Sequence, residues 1–514
     1  MDTGTGRAMG SGWGLLLAAA WLIYGTAAQA QEADMIVQKV ADKGTGTFHC
    51  DAAPALLLGK GALKQPGCVG PLQELLKQRF GETASAPAAA GPYILAGLSG
   101  DRGPLRELAA SIRAKLPQQG LGEEGYVLDV APERVLLAAS KPSGLFRGAT
   151  ALVRMAAGQP GSLEIPAGIY ADWPAVPWRG MHVLVGGRSN LPALEQIITR
   201  SAPELRINKL ILEVDYNFAF KSHPEMAAPD GLTVEDCRHL SDLARRYGIE
   251  LIPQVNCLGH QSWAKNTDRL LTAHPEFDET PDLPADNPGI YCRSWCPSKP
   301  EVARFVGDLI DEIIDAFGSH WFHCGMDEVF ILGECPRCKG IDHSELFARA
   351  INDLHARLAK RKVGMMIWGD RLIDAKATGY SKWEASENGT APAINHIPKD
   401  IVLCDWHYGT PDDFPSVKIL QDAGFRVWPS GWNSSDNVRR LASCALSNAG
   451  PRMVGYMATT WFGLDQVAAG LAGEESALKN KDTKSLVAGI RTGLAMAWNG
   501  DTSAHPPIAS SQPK

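Results

Sequence analysis

From Trp178 onward the chain repeats one pattern that few folds can use: a short apolar run of five to eight residues, then a longer amphipathic stretch. The runs are WRGMHVLV, NKLILEV, IELIPQV, HWFHCG, GMMIW, IVLCD, FRVWPS and MVGYMATT. Apolar runs without polar alternation suit strands buried on both faces, as in a parallel sheet. Between them LPALEQIITRSA, VEDCRHLSDLARRYG, PEVARFVGDLIDEIIDAFG and SELFARAINDLHARLAKRK place apolar residues at three and four spacing, which predicts crossover helices. In the third of these, Phe305, Leu309, Ile313 and Phe317 share a stripe, while Asp308, Asp311, Glu312 and Asp315 line another that reads as a solvated face rather than a site. Eight strand and helix units over residues 172–499 predict a (β/α)8 TIM-type barrel, with a doubly wound open sheet as the alternative.

Residues 33–166 read differently. YVLDVAPERVLLAAS has the period-two alternation of a hairpin, and GLFRGATALVRMAAG reads as a short amphipathic helix, so a smaller α+β domain is expected ahead of the barrel. Pro166, Pro174 and Pro177 punctuate the passage between the two. Residues 1–30 have the form of an export signal: Arg7, the apolar run WGLLLAAAWLIYG, and a small-residue cleavage site at Ala28 to Ala30. A secreted or periplasmic protein starting near Gln31 is expected, with no membrane span beyond the signal. The tail, residues 500–514, has the composition of a disordered segment.

A net charge of -7 with acids and bases interspersed supplies neither a basic stripe for nucleic acid nor a polybasic membrane patch, so neutral substrates fit best. No H-E-x-x-H or comparable histidine cluster calls for a catalytic metal, and no cofactor is expected. Eleven cysteines leave at least one unpaired. Cys292 and Cys296, with Cys335 and Cys338, are spaced to supply a structural zinc; disulfides between the two loops and plain buried thiols are the competing readings. Cys324, inside a strand run, reads as packing.

In a (β/α)8 barrel the chemistry sits at the carboxyl ends of the strands. The fourth run is followed by Asp327 and Glu328, side by side. Two acids with split tasks suit acetal hydrolysis, one donating a proton to the leaving oxygen and the other staying charged. Stabilising the dipole of a following helix is the structural alternative.

The segment FHCGMDEV resembles the H-x-G-G-D-E-V signature of family 20 glycoside hydrolases, the β-N-acetylhexosaminidases. PAVPWRGM and LIPQVNCLGHQSW are similar to that family's first strand and to its third strand with a P-G-H turn, and residues 123–152 to the small domain preceding its barrel. The resemblance implies a retaining, substrate-assisted exoglycosidase for terminal β-linked N-acetylhexosamine (GlcNAc or GalNAc), with a glycan or glycoconjugate as partner. The substrate's acetamido oxygen would attack the anomeric carbon. Asp327 would orient the acetamido N–H, and Glu328 would protonate the leaving oxygen and then deprotonate water. It further implies Arg179 and His260 as substrate-binding or carboxylate-orienting residues, Trp368, Trp383 and Trp461 as walls of the sugar site, and Tyr408 as a donor to the acetamido oxygen. For Arg179 the alternative is a barrel-bottom ion pair. His323 could brace the carboxylates or simply pack.

Three departures bear on the sugar. Met326 replaces the second glycine of the signature, LEVDYN stands where an H-x-T-D-D-like stretch is usual, and Gly463 stands where a glutamate commonly binds the outer hydroxyls. Glu213, Asp215, Asp370, Glu384 and Asp405 are candidates to rebuild those contacts. A related glycosidase for another sugar, and a non-catalytic glycan-binding barrel, are the alternative functions.

Overall fold

The computed structural model describes residues 39–500 apart from 82–90, 102, 119, 285, 475, 477, 479 and 480. The expected export signal and the tail from Asp501 lie outside them. The chain divides into two units at Asp172 and Trp173.

In the first unit, β1 (Val40–Cys50), β2 (Ala55–Leu58), β3 (Tyr93–Leu98), β4 (Tyr126–Ala131), β5 (Arg134–Ala139) and β6 (Leu163–Asp172) form one mixed sheet in the order β1-β6-β4-β5-β3-β2. β4 and β5 are the expected hairpin, and the helix Pro142–Met155 follows. β6 continues past Pro166, where the sequence places the domain's end. It pairs with β4 only from Gly168 to Asp172, so near Pro166 one edge of the strand is open, a place where a residue without an N–H is tolerated.

In the second unit, β7 (Trp178–Leu184), β8 (Lys209–Glu213), β9 (Glu250–Cys257), β12 (Trp321–Gly325), β13 (Gly364–Trp368), β14 (Val402–Trp406), β15 (Arg426–Gly431) and β16 (Gly455–Ala458) close into a parallel barrel. β10 (Ser262–Trp263) and β11 (Asn266–Thr267) are a small hairpin in the loop after β9. β16 pairs with β7, which excludes the open sheet. Each of the eight apolar runs falls on one barrel strand, with β9, β14 and β15 continuing one or two residues past theirs.

The sequence fills such a barrel for a simple reason. Alternate side chains of each strand point inward, where Ile211, Ile252, Met366, Val402, Trp428 and Met457 pack together, or outward against the helices. A Cβ on Gly180 would lie 2.2 Å from the Trp428 ring, so the indole occupies the space the glycine leaves. In the helix Pro300–Phe317 the expected stripe is buried, and Gly318 ends the helix in the left-handed conformation at φ 60°. Its acidic row is more than a solvated face. Asp308 and Asp311 take the guanidinium of Arg357 at 2.6 and 2.8 Å, Arg361 pairs with Asp311 and Asp315, and Glu312 accepts from the Lys221 and Ser222 backbone. The arginine pairs join the helix to the next one, His343–Lys360, and to its C-cap residue Arg361, while Glu312 ties it to the loop at Lys221 and Ser222. Among the described residues no helix is long and apolar enough to cross a membrane.

Candidate active site

β12 ends in unusual backbone. Gly325, Met326 and Glu328 have φ of 64°, 73° and 48°, and the register against β9 slips between His323 and Gly325. Consecutive side chains on an extended strand point to opposite faces; the left-handed residues break that alternation, so Asp327 and Glu328 both reach one partner. At Gly325 a Cβ would come within 2.5 Å of Asn256 Oδ1 and 2.9 Å of Asn256 Cα, so both the close approach and the φ require glycine. Met326 holds its left-handed φ without that freedom, its side chain fully buried in the layer between strands and helices.

The shared partner is His260, whose Nε2 lies 3.1 Å from Asp327 Oδ2 and 3.2 Å from Glu328 Oε2. Its Nδ1 meets Cys292 Sγ at 3.3 Å, and its ring stacks on Trp263 of β10 at 4.3 Å. Burial works against a charge on this imidazole, but the Asp327 carboxylate, with hydrogen bonds to Asp327, Cys292 and Glu328, raises its pKa well above the ordinary value. A protonated His260 therefore ties the two acids together.

A second support comes from β13. The backbone N–H of Glu328 donates to Asp370 Oδ2 at 3.0 Å, and Arg371 Nε donates to the same oxygen at 2.7 Å. Burial pushes the Asp370 carboxyl up to about 6, against the pull of Arg371. Arg371 also donates to the carbonyls of Lys382 and Trp383, and lies 5.0 Å over the Phe330 ring. It thus fixes the loop that carries Trp383, which is 39% exposed and meets Tyr291 and Phe330 edge-on, each at 5.2 Å.

The other aromatics form a connected wall. Trp368, the last residue of β13, is buried against His323 and His182. Trp461 lies 4.7 Å from His182 and donates from Nε1 to the Tyr408 hydroxyl at 2.7 Å. Burial holds the Tyr408 hydroxyl protonated, and the charges of Asp327 and Glu328 act in the same direction. Beside this wall lies a largely buried polar belt around Glu213 and Asp215, two of the acids named above as candidates for the outer sugar contacts. His182 meets Glu213 at 2.8 Å, Gln254 and Asn256 donate to Glu213, and the Asn256 N–H donates to Asp215.

The structure therefore gathers Asp327, Glu328 and His260, and places Trp368, Trp383, Tyr408 and Trp461 at the carboxyl ends of the strands. Arg179 is elsewhere. It is the second residue of β7, at the opposite end of the barrel, fully buried, and its guanidinium donates to the carbonyls of Val176, Pro177 and Arg206 while lying 4.9 Å over Trp498. Its fork is used in closing the barrel floor, which corrects its assignment to the sugar site. His323 braces backbone, its Nδ1 accepting the Gly325 N–H at 3.1 Å, and burial together with His182 holds it neutral. Glu384 and Asp405 are engaged with His407 at 3.1 and 3.2 Å.

A closed parallel barrel with a histidine-bridged acid pair and an aromatic wall at its carboxyl rim defines a glycoside hydrolase of the barrel type. Residues 206–462 match the description "Glycosyl hydrolase family 20, catalytic domain", and residues 38–173 match "Glycosyl hydrolase family 20, domain 2". The chain belongs to glycosyl hydrolase family 20. It is 29% identical to a beta-hexosaminidase of Akkermansia muciniphila over 62% of this chain and 69% of that protein. It is 26% identical to a lacto-N-biosidase of Bifidobacterium bifidum over 51% of this chain, but spans only 24% of that longer protein. The fold is shared with the Flavobacterium johnsoniae chitobiase (TM-score 0.63, 17% identity, 90% of this chain and 71% of that one). It is shared also with the Streptomyces plicatus N-acetyl-β-hexosaminidase (TM-score 0.60, 18% identity, 90% and 95%).

Proposed function

We propose that the protein is an exported, retaining exo-β-N-acetylhexosaminidase that uses the substrate's acetamido group as nucleophile. The observation that carries this reading is the His260 bridge, which locks adjacent acids into one unit instead of leaving them as a helix-capping pair. Asp327 keeps one carboxylate oxygen, Oδ1, buried and without a hydrogen-bond partner, suited to accept the acetamido N–H and to offset the charge of the oxazolinium intermediate. Glu328, hydrogen-bonded through its backbone to Asp370, donates the proton to the leaving oxygen and takes one from water in the second step. Trp461 provides the ring face for the pyranose, with the buried Trp368 backing that wall, and Tyr408 provides the hydroxyl for the acetamido oxygen. Export is supported by the leader sequence and is checked by N-terminal sequencing of the mature protein, expected to start near Gln31.

The lacto-N-biosidase relative, and the open space at Gly463 where an added Cβ meets nothing within 4 Å, favour a second reading in which a disaccharide unit is released. The test compares p-nitrophenol release from the β-N-acetylglucosaminide, the β-N-acetylgalactosaminide, the β-lacto-N-bioside and the plain β-glucoside. Turnover of acetamido monosaccharides but not of the glucoside supports the proposal. Turnover of the lacto-N-bioside alone supports the second reading, and turnover of the glucoside refutes acetamido assistance.

A further inference from the structure

The short-spaced cysteines do not meet as the sequence pairs them. Cys292 sits beside His260, while Cys296, Cys335 and Cys338 converge on a residue the spacing could not reveal, Glu279. The three sulfurs and one carboxylate oxygen of Glu279 lie within 4.8 Å of one another, and all four side chains are buried. Cys296 Sγ is 3.4 Å from Cys335 Sγ and 3.5 Å from Cys338 Sγ. With zinc–sulfur bonds of about 2.3 Å, tetrahedral coordination places its sulfurs about 3.8 Å apart, so these thiols need to open by only a few tenths of an ångström. Glu279 is 1% exposed; its Oε2 accepts from the Glu334 and Cys335 N–H groups, and its Oε1 is buried with no hydrogen-bond partner. The other polar group at the cluster is the Ser298 hydroxyl, 3.2 Å from Cys338 Sγ, which also receives Arg349 at 2.9 Å.

We propose that Glu279, Cys296, Cys335 and Cys338 form a closed structural site for one zinc ion. Binding releases the thiol protons to solvent and leaves the metal bound by three thiolates and one carboxylate, with no position open for catalysis. The ion would pin together two loops that flank the acids. The first carries Trp295, whose backbone N–H donates to the Leu258 carbonyl next to the His260 turn, and the second runs on from Glu328. Holding three thiols on metal would also protect them from oxidation in an oxidising compartment.

The test is metal analysis of the full chain purified without chelator, with cobalt exchange and thiol mapping on the same sample. Expected are about one zinc per chain, near-ultraviolet thiolate-to-cobalt charge transfer in the cobalt form, and a melting temperature that falls on chelation. Metal content should drop to background in the Cys335→Ser/Cys338→Ser double variant. If that variant does not fold, Glu279→Gln serves: it keeps the thiols and should lose metal to chelator faster than wild type. A metal-free wild-type protein with all thiols titratable, a disulfide from Cys296 to Cys335 or Cys338, or zinc bound instead at His260, Cys292 and Glu328 would each overturn the proposal.

Discussion

Replacing Met326 by glycine would restore the residue that the family signature carries, yet the structure predicts a less stable protein. The gain is relief of the left-handed backbone at φ 73°, about 1–2 kcal/mol for a residue with a Cβ. Against it stands the loss of a fully buried side chain, about 2–5 kcal/mol for truncation of a core methionine. The added freedom of glycine in the unfolded chain costs about 0.5–1 kcal/mol more. Burial wins, and Met326→Gly is expected to lose about 0.5–5 kcal/mol. Met326→Ala loses nearly the same contacts while keeping the strain, so it should be no more stable than the glycine variant. Urea unfolding followed by tryptophan fluorescence checks the order. A glycine variant as stable as wild type, or more so, would mean that strain outweighs packing at this position and that the account of the strand end is wrong.

Three further outcomes follow from the geometry. Arg179→Lys should lower stability by about 1–3 kcal/mol, since an ammonium cannot reach the three carbonyls that the guanidinium holds, and should leave KM unchanged; a raised KM at unchanged stability would return Arg179 to the sugar site. Trp383→Ala should raise KM roughly tenfold through loss of about 1.5 kcal/mol of ring contact, whereas an unchanged KM would place the sugar away from that ring. His407 is raised from its ordinary 6.5 to about 9, the Asp405 and Glu384 carboxylates outweighing burial, and His260 is raised in the same sense. A histidine with a raised folded pKa gives its full stabilisation below 6.5 and loses it as pH climbs through the folded value, here about 3 kcal/mol from His407. Unfolding free energy should therefore decline between pH 6.5 and 9, and a flat or rising profile would contradict the buried ion pairs.

The barrel was legible because each strand is buried on both faces and each helix on one, so periodicity alone separates them. The acids were legible because they directly follow a strand. What escaped depends on three-dimensional placement. WRGM supplies an arginine at the start of a strand, open to a sugar-site or a barrel-floor reading, and only the fold shows its guanidinium spent on the carbonyls of Val176, Pro177 and Arg206. The cysteine spacings suggest a four-thiol set, yet the backbone carries Cys292 toward His260 and brings Glu279 into its place. Met326 looks like a damaged signature, but its bulk fills the outer core at a position where the chain turns left-handed. Asp370 and Arg371 carried no local signal beyond following a strand end, although they hold the Glu328 backbone and the Trp383 loop.

In the proposed mechanism the adjacent acids divide one reaction, and a leaving-group series separates their two tasks. The value of kcat/KM is measured for aryl β-N-acetylglucosaminides of graded leaving-group acidity in wild type, Glu328→Gln and Asp327→Asn. A steep dependence is expected for Glu328→Gln, with activated substrates largely spared, and a loss in Asp327→Asn that is uniform across the series because acetamido positioning is needed for every substrate. Parallel losses in the two variants would contradict the division of labour.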